Sequence, residues 1–176
     1  MKIHIQKSSM HGKGIFATKD IAKGEVVFII KGKKIKFLID SKEQAEKAGM
    51  NWVGYSRNQW IDPIEHCVYF NHSCDPNSAI KGRLTFVAVR DIKKGEEITF
   101  DYSLNESDIF WRMKCRCGSK NCRKQIRSIQ YLPSSLVKKR WQMIPKYFQD
   151  IYERFGREKF LTDREHKSSW IKFISA

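Results

Sequence analysis

Three cysteines fall within eight residues as Cys115-x-Cys117-x4-Cys122. Thiols at this spacing can close on one soft metal ion, with Gly118 permitting the sharp turn between them. A tetrahedral zinc needs a fourth soft ligand, and Cys67, Cys74 and several histidines are available. Cys74 lies in Asn71-His72-Ser73-Cys74-Asp75-Pro76-Asn77. Pro76 lacks an N–H, and Asp and Asn favour turns, so this stretch reads as a buried or half-buried polar turn, unsuited to the interior of a helix or strand. A thiol fixed in such a turn is the better fourth ligand. Cys67, ahead of Val68-Tyr69-Phe70, reads as a small buried hydrophobe. The closed set Cys74, Cys115, Cys117 and Cys122 leaves no position for water, so the zinc would be structural. Reactive or merely buried thiols are the alternative. Five cysteines are an odd number, and in a reducing compartment their clustering favours metal over disulfides.

Two further stretches answer the polar turn. Gly95-Glu96-Glu97-Ile98-Thr99-Phe100-Asp101-Tyr102 is an acidic turn leading into a strand that ends on Tyr102; alone, that tyrosine would not be singled out. His11-Gly12-Lys13-Gly14-Ile15-Phe16-Ala17 sets two glycines around a lysine, a tight loop whose backbone can approach a ligand closely. By itself the pattern is weak evidence, and an ordinary turn between strands is the better reading of it.

The elements that must position these residues are mostly strands. Residues 2–6 alternate polar and apolar, Val26–Ile30 is β-branched-rich, and Leu84–Val89 reads as a central strand. Residues 31–39 are ambiguous. Ser41 and Gln44 have capping-box form, predicting a short helix to about Ala48 with Gly49 as its stop. Residues 51–70, with Trp52, Tyr55, Trp60, Tyr69 and Phe70, read as strand and sheet core. Asp20–Glu25 and Asp91–Glu96 are similar turns, each leading from one strand to the next. Residues 103–114 form a polar connection carrying Trp111. From Ser134 the pattern turns helical. Ser134 or Ser135 is the expected N-cap of a segment with Leu136, Val137, Trp141 and Ile144. Pro145 opens a second helix with Phe148, Ile151, Tyr152 and Phe155 on one face. Lys138, Lys139, Arg140, Lys146 and Arg154 lie between, and the pair reads as a lid or brace on the β domain. Residues 161–176 have no clear pattern.

The length of 176 residues suits one domain with a small appendage, and 41% hydrophobic and 12% aromatic content suits a proper core. No apolar run is long enough to span a membrane, and the N-terminus lacks the apolar stretch of a signal peptide, so an intracellular location (cytoplasm or nucleoid/chromatin) is expected, export to a host aside. The net charge of +15 is uneven: residues 1–111 carry 17 basic and 14 acidic side chains, residues 112–176 carry 17 and 5. Such a tail either solubilises the chain or meets an acidic partner, nucleic acid among them.

Together, Gly12–Ala17, Asn71–Asn77, Gly95–Tyr102 and the cysteine loop resemble a SET-domain protein-lysine methyltransferase with its post-SET zinc motif, over roughly residues 3–127. The two middle motifs carry most of the specificity. The chain looks like the small stand-alone SET proteins, without the cysteine-rich region that precedes the domain in many chromatin enzymes. The resemblance implies a mainly β fold with some α: small curved sheets around a pseudoknot (residues 1–110, with an insert at about 31–66), a post-SET zinc loop (111–127) and a basic helical C-terminal extension (128–176). It implies S-adenosylmethionine lying against Gly12, Lys13 and Gly14, with Asn71 and His72 holding it and Tyr102 beside it. Trp111 or the residues after Cys122 would cover the adenine. The target lysine of a protein substrate, a histone or another basic protein, would enter from the opposite face. Tyr102 would orient its amine, and Phe100, at the family's Phe/Tyr switch position, would leave room for di- or trimethylation. Trp52 or Tyr55 would supply a second aromatic wall. The competing expectation is a catalytically weak SET-fold module that uses its basic tail to bind nucleic acid or an acidic partner.

Overall fold

The computed structural model describes residues 2–49 and 51–156. Among the described residues, twelve strands form four small sheets, and three α-helices punctuate them. The first sheet carries the site. In it β1 (Ile3–Lys7) pairs antiparallel with β2 (Lys13–Ala17), β2 with β10 (Glu97–Phe100), and β10 runs parallel to β7 (Asn71–His72). The second sheet is antiparallel, β3 (Val26–Ile29), β9 (Thr85–Ala88) and β8 (Ser78–Lys81), with β9 central as expected. The third is the insert: β4 (Gly32–Lys36), β6 (Gln59–Pro63) and β5 (Val53–Ser56). The last is the hairpin of β11 (Arg112–Lys114) and β12 (Gln125–Arg127).

The similarity of the two Asp-Ile turns has a physical reason. Ile21 and Ile92 exchange both backbone hydrogen bonds at 2.9 Å. Asp20 accepts from the N–H of Lys94 at 2.8 Å, and Asp91 from the N–H of Lys23 at 2.8 Å. Within each turn the glutamate accepts from a backbone N–H three residues earlier, Ala22 for Glu25 and Lys93 for Glu96, both at 3.1 Å. Each turn therefore caps the other, and together they bring β2–β3 and β9–β10 to one place.

An apolar core built on Ile15, Ile80, Phe86, Ile92 and Ile98 fills the space between the first two sheets. A second apolar cluster joins Leu104 and Ile109 to Val137 and Ile144, and to Phe148, Ile151 and Phe155. Those helical residues come from α2 (Ser134–Arg140), its continuation and α3 (Lys146–Phe155). Leu38 of the insert also packs against it. In this cluster α2 and α3 pack against Leu104 and Ile109 of the segment that follows β10. α1 (Lys42–Lys47) has Ser41 as N-cap, accepting from the N–H of Gln44 at 3.2 Å, as its sequence foretold.

Several local expectations change. Lys13–Ala17 is strand, so the glycine loop ends at Gly12. Asn71 and His72 form a two-residue parallel strand, and only the residues after them turn; the pairing with β10 outweighs the turn preference of Asn. Residues 65–69 form a 3-10 turn instead of strand. The strand of the Tyr102 motif ends at Phe100, and Asp101 caps a 3-10 turn that begins at Tyr102. α2 starts after Pro133, with no side-chain cap from Ser134 or Ser135. Arg140 is buried, at 7% exposure, unlike the exposed Lys138 and Lys139. The pattern call on residues 161–176 lies outside the described residues.

Candidate active site and metal centre

The Asn71–Asn77 segment and the Glu97–Tyr102 segment thread past each other, and side chains weld the crossing. Asn77, buried, acts as a substitute strand: its Oδ1 accepts the N–H of Thr99 at 2.9 Å, and its Nδ2 donates to the Glu97 carbonyl at 2.8 Å. Ser78 donates its hydroxyl to the Thr99 carbonyl at 2.9 Å, and the N–H of Ser73 reaches the Phe100 carbonyl at 3.0 Å. Eighteen or more positions of sequence separation collapse to one site through these bonds.

The Asn71 amide holds the glycine loop. Its Nδ2 faces the carbonyls of His11 (3.3 Å) and Lys13 (3.0 Å) and the Oε1 of Glu97 (2.7 Å). Three acceptors for two hydrogens fix the amide orientation and leave Oδ1 as an acceptor. Glu97 also accepts the Ser8 hydroxyl at 2.9 Å. Its carboxylate lies against Gly14: a Cβ there would sit 2.2 Å from Oε1, so β2 needs glycine at this position. Gly12 serves differently. It has φ +51°, and a Cβ there would meet nothing within 4 Å, so the turn is left-handed and its backbone is open on that side. The Lys13 ammonium lies 5.5 Å from the Tyr69 ring centre.

Tyr102 donates its hydroxyl to the Phe70 carbonyl at 2.7 Å. Burial raises its pKa, and the nearby Cys67 and Glu97 add to the rise, so it stays a neutral phenol. Its ring packs on Phe100 (4.7 Å between centres) and edge-on to His72 (5.3 Å). Phe100 meets Phe86 edge-on at 5.0 Å, and Phe86 stacks on Phe70 at 4.2 Å. Phe70 and Phe86 thus form the aromatic surroundings of Phe100. Trp52 packs on Phe37 in the insert, and Tyr55 on the main core. Phe70 sat in plain view beside Asn71; Phe86 reaches the site through the packing of a separate sheet against it.

The thiols converge. Cys74 Sγ lies 3.7 Å from Cys115 Sγ, and Cys122 Sγ lies 3.6 Å from it. Tetrahedral zinc with bonds of about 2.3 Å requires sulfurs roughly 3.8 Å apart, whereas a disulfide needs about 2.05 Å. The spacing therefore suits a shared ion. Backbone N–H groups point at the sulfurs, Arg123 to Cys74 at 3.3 Å and Cys74 to Cys117 at 3.4 Å. Burial pushes the Cys117 thiol up, but the N–H of Cys74 and the Ser119 hydroxyl outweigh it and pull it down to about 6. Trp111, half-buried, packs with Tyr102 against this cluster.

His72 belongs to the same group: its ring nitrogen and the sulfurs of Cys74, Cys115 and Cys117 lie within 4.8 Å of one another. Its hydrogen bonds assign it a different part. Nδ1 accepts the N–H of Tyr102 at 3.2 Å, so in the neutral ring the proton sits on Nε2, which faces Cys74 Sγ at 3.3 Å. Burial lowers its pKa to about 4, keeping it neutral. A ring in that tautomer donates to a cysteine thiolate and has no lone pair for the metal. Cys122, the remaining thiol of the loop, lies beside the same cluster, its Sγ 3.6 Å from that of Cys115.

One charged node was missed at the sequence level. Asp101, 1% exposed, accepts from Arg123 Nη2 at 2.5 Å and Arg140 Nη1 at 2.6 Å, and from the N–H of Ser103 at 3.1 Å. The signal was present: Arg140 lies three residues after Val137 and four before Ile144, on the apolar face of its helix.

With this geometry in hand, comparisons with known proteins are informative. The SET domain family profile matches residues 12–103. Among curated proteins, the chain is 34% identical over 139 residues to the histone-lysine N-methyltransferase set-2 of Caenorhabditis elegans, covering 69% of this chain and 9% of that protein. It is 33% identical over 139 residues to a variant-silencing SET domain-containing protein of Plasmodium falciparum (68% and 5%). It is 28% identical over 136 residues to human histone-lysine N-methyltransferase 2B (69% and 5%). The chain thus spans less than a tenth of the length of these relatives. Among solved structures it is similar to KRYPTONITE in complex with DNA, a histone H3 peptide and S-adenosylhomocysteine, with TM-score 0.57 and 19% identity over 70% of this chain and 29% of that one, a likeness of fold. A humanized mutant of the Chaetomium thermophilum Polycomb Repressive Complex 2 gives TM-score 0.51 and 30% identity, covering 60% and 15%. No helix among the described residues is long and apolar enough to cross a membrane.

Proposed function

The chain belongs to the SET-domain family, and from that premise we propose that it is an S-adenosylmethionine-dependent protein-lysine N-methyltransferase. The observation that carries this reading is the intact crossing: Tyr102, anchored on the Phe70 carbonyl at 2.7 Å, beside Asn71, which ties down the glycine loop at 3.0 Å. The names of its relatives, histone-lysine methyltransferases, support it.

The methyl donor, when bound, supplies an activated sulfonium methyl. Residues of this chain would do the rest. The open backbone at Gly12 and Lys13 and the Asn71 Oδ1 are suited to its amino-acid end, the oxygen accepting from an ammonium; at His72, whose ring is committed inward, contact falls to the backbone. Gly14 admits Glu97, which locks the loop. The attacking lysine amine must be neutral, whereas a free lysine has a pKa of about 10.4. A desolvated, aromatic-walled channel beside a cation lowers it. Because Tyr102 stays protonated, it orients the amine and is no base; the released proton leaves to solvent. Phe100 offers no hydroxyl to pin a water or the amine, which favours di- or trimethylation.

Cys74, Cys115, Cys117 and Cys122 would hold a structural zinc, with His72 donating to Cys74. The working units would be residues 1–110, 111–127 and 128–176. The substrate is a protein presenting a lysine, such as a histone, which would place the chain at chromatin. No acidic residue occurs from Ile109 to Gln149, and exposed Arg112, Lys114, Lys138 and Lys139 would suit an acidic partner such as the nucleic acid around it.

The test is transfer of labelled methyl from S-adenosylmethionine to purified histones and to a cell lysate, read by mass spectrometry. A labelled lysine carrying two or three methyls is the expected product. No labelling by zinc-loaded, cofactor-bound protein would overturn the enzyme reading in favour of a binding module.

A further inference from the structure

We infer that Arg140 is a positioning residue for the site, and that α2 is therefore part of the working unit although it lies outside the matched residues 12–103. Its guanidinium is a fork with one tine on each of the crossing segments. Nη1 donates to Asp101 Oδ2 at 2.6 Å, and Nη2 to the Cys74 carbonyl at 2.5 Å. Asp101 directly precedes Tyr102. Cys74 follows His72, whose Nδ1 holds the Tyr102 N–H at 3.2 Å. Arg140 thus spans from outside the closed path Tyr102–His72–Cys74–Asp101.

The helix holds the fork still. Val137, one turn earlier in α2, and Ile144, just past the 3-10 turn that follows Arg140, are buried in the C-terminal apolar cluster. The planar guanidinium meets two acceptors at a set separation, which a lysine ammonium cannot do. Arg123 also pairs with Asp101, so the carboxylate is neutralised without Arg140. What Arg140 alone adds is the link from Asp101 to the Cys74 carbonyl. That separation of roles points to alignment in place of charge balance as its contribution. A small misplacement of Tyr102 is enough to lower a rate about a hundredfold.

The rate part of this inference rests on the methyltransferase reading; the geometric part does not. The experiment compares wild type, Arg140→Ala and Arg140→Lys in the full zinc-loaded chain. Four quantities are read: kcat and KM for the acceptor, zinc content, melting temperature, and the amide 1H–15N resonance of Tyr102. Both variants are expected to lose about ten- to a hundredfold in kcat with KM and zinc retained, and to shift the Tyr102 amide. Guanidinium at sub-denaturing concentration is expected to restore part of the rate to Arg140→Ala and none to Arg140→Lys, a rescue that a merely destabilised protein would not show. Wild-type kcat with an unmoved Tyr102 amide overturns the inference. If Arg140→Ala fails to fold, Arg140→Lys decides by the same readouts. If the wild type itself transfers no methyl, the methyltransferase reading fails and the Tyr102 resonance alone decides the positioning.

Discussion

Tyr102 and Phe100 differ by one oxygen and are asked to do opposite things. The Tyr102 hydroxyl is fixed on the Phe70 carbonyl at 2.7 Å, where it can orient an amine; Phe100 presents only a ring edge and face among Phe86 and Tyr102. Tyr102→Phe keeps the ring packing and removes the oxygen. Cofactor affinity by calorimetry should hold while kcat falls about 10²- to 10⁴-fold; unchanged turnover would remove Tyr102 from the mechanism. Phe100→Tyr adds the hydroxyl that is missing and should shift the product toward monomethyl-lysine in the mass spectrum. An unaltered methyl count would show that Phe100 does not set it.

At the level of elements, the β11–β12 hairpin frames the thiol loop, and β7 delivers Cys74 to it. The competing ligand sets differ by Cys122 against His72, whose tautomer is set by the Tyr102 N–H. Zinc-to-protein ratio after dialysis against a chelator separates them. Cys122→Ser should lose the metal. His72→Gln, which removes only an outer donor, should weaken binding about 10- to 100-fold and retain zinc at micromolar protein. The reverse result would make His72 the ligand. The crossing itself depends on Asn77, which completes β10 with two bonds. Asn77→Ala leaves the Thr99 N–H and the Glu97 carbonyl unpaired in the interior and should cost about 2–4 kcal/mol in denaturant unfolding; a loss within 0.5 kcal/mol (roughly the scatter of surface changes) would refute that account.

For the whole molecule, the loop from Leu104 to Ile109 carries a half-buried acid, Glu106, and a buried one, Asp108. Leu104 and Ile109 pack with the C-terminal helices, and Glu106 and Asp108 lie between them. Burial pushes Glu106 up to about 8, with Asp108 adding to the rise, and burial also raises Asp108. Burial likewise raises Tyr147, and the nearby Glu106 adds to the rise. At Glu106 the folded chain therefore keeps a proton that the unfolded chain releases, from about pH 4.5, the ordinary glutamate value, to about 8. The sign is that this contribution is complete below the unfolded pKa and is lost as pH rises through the folded one. Between pH 6 and pH 8 the melting temperature of zinc-loaded wild type should fall relative to that of Glu106→Gln, whose amide does not titrate. Parallel slopes would show Glu106 to be ionised in the fold.

The chain's own order of residues determined the motifs, because chemistry-bearing types at short spacing are local facts: Cys115-x-Cys117-x4-Cys122, the Asn71–Asn77 stretch, Gly95–Tyr102. It also determined α1, through Ser41, and the apolar faces of α2 and α3, because capping and periodicity act within a few residues. Tertiary structure decided the rest. Asn71 and His72 became strand because β10 offered them a parallel partner, a contact that no local preference encodes. Phe86 joined the site by packing on Phe100 from another sheet, and Asp101 through the crossing of the two segments. The His72 tautomer followed from a backbone N–H thirty positions away. Arg140, grouped by sequence with its basic neighbours, turned inward because the buried face of α2 meets the crossing, and a charge there is tolerated only where Asp101 and the Cys74 carbonyl await it.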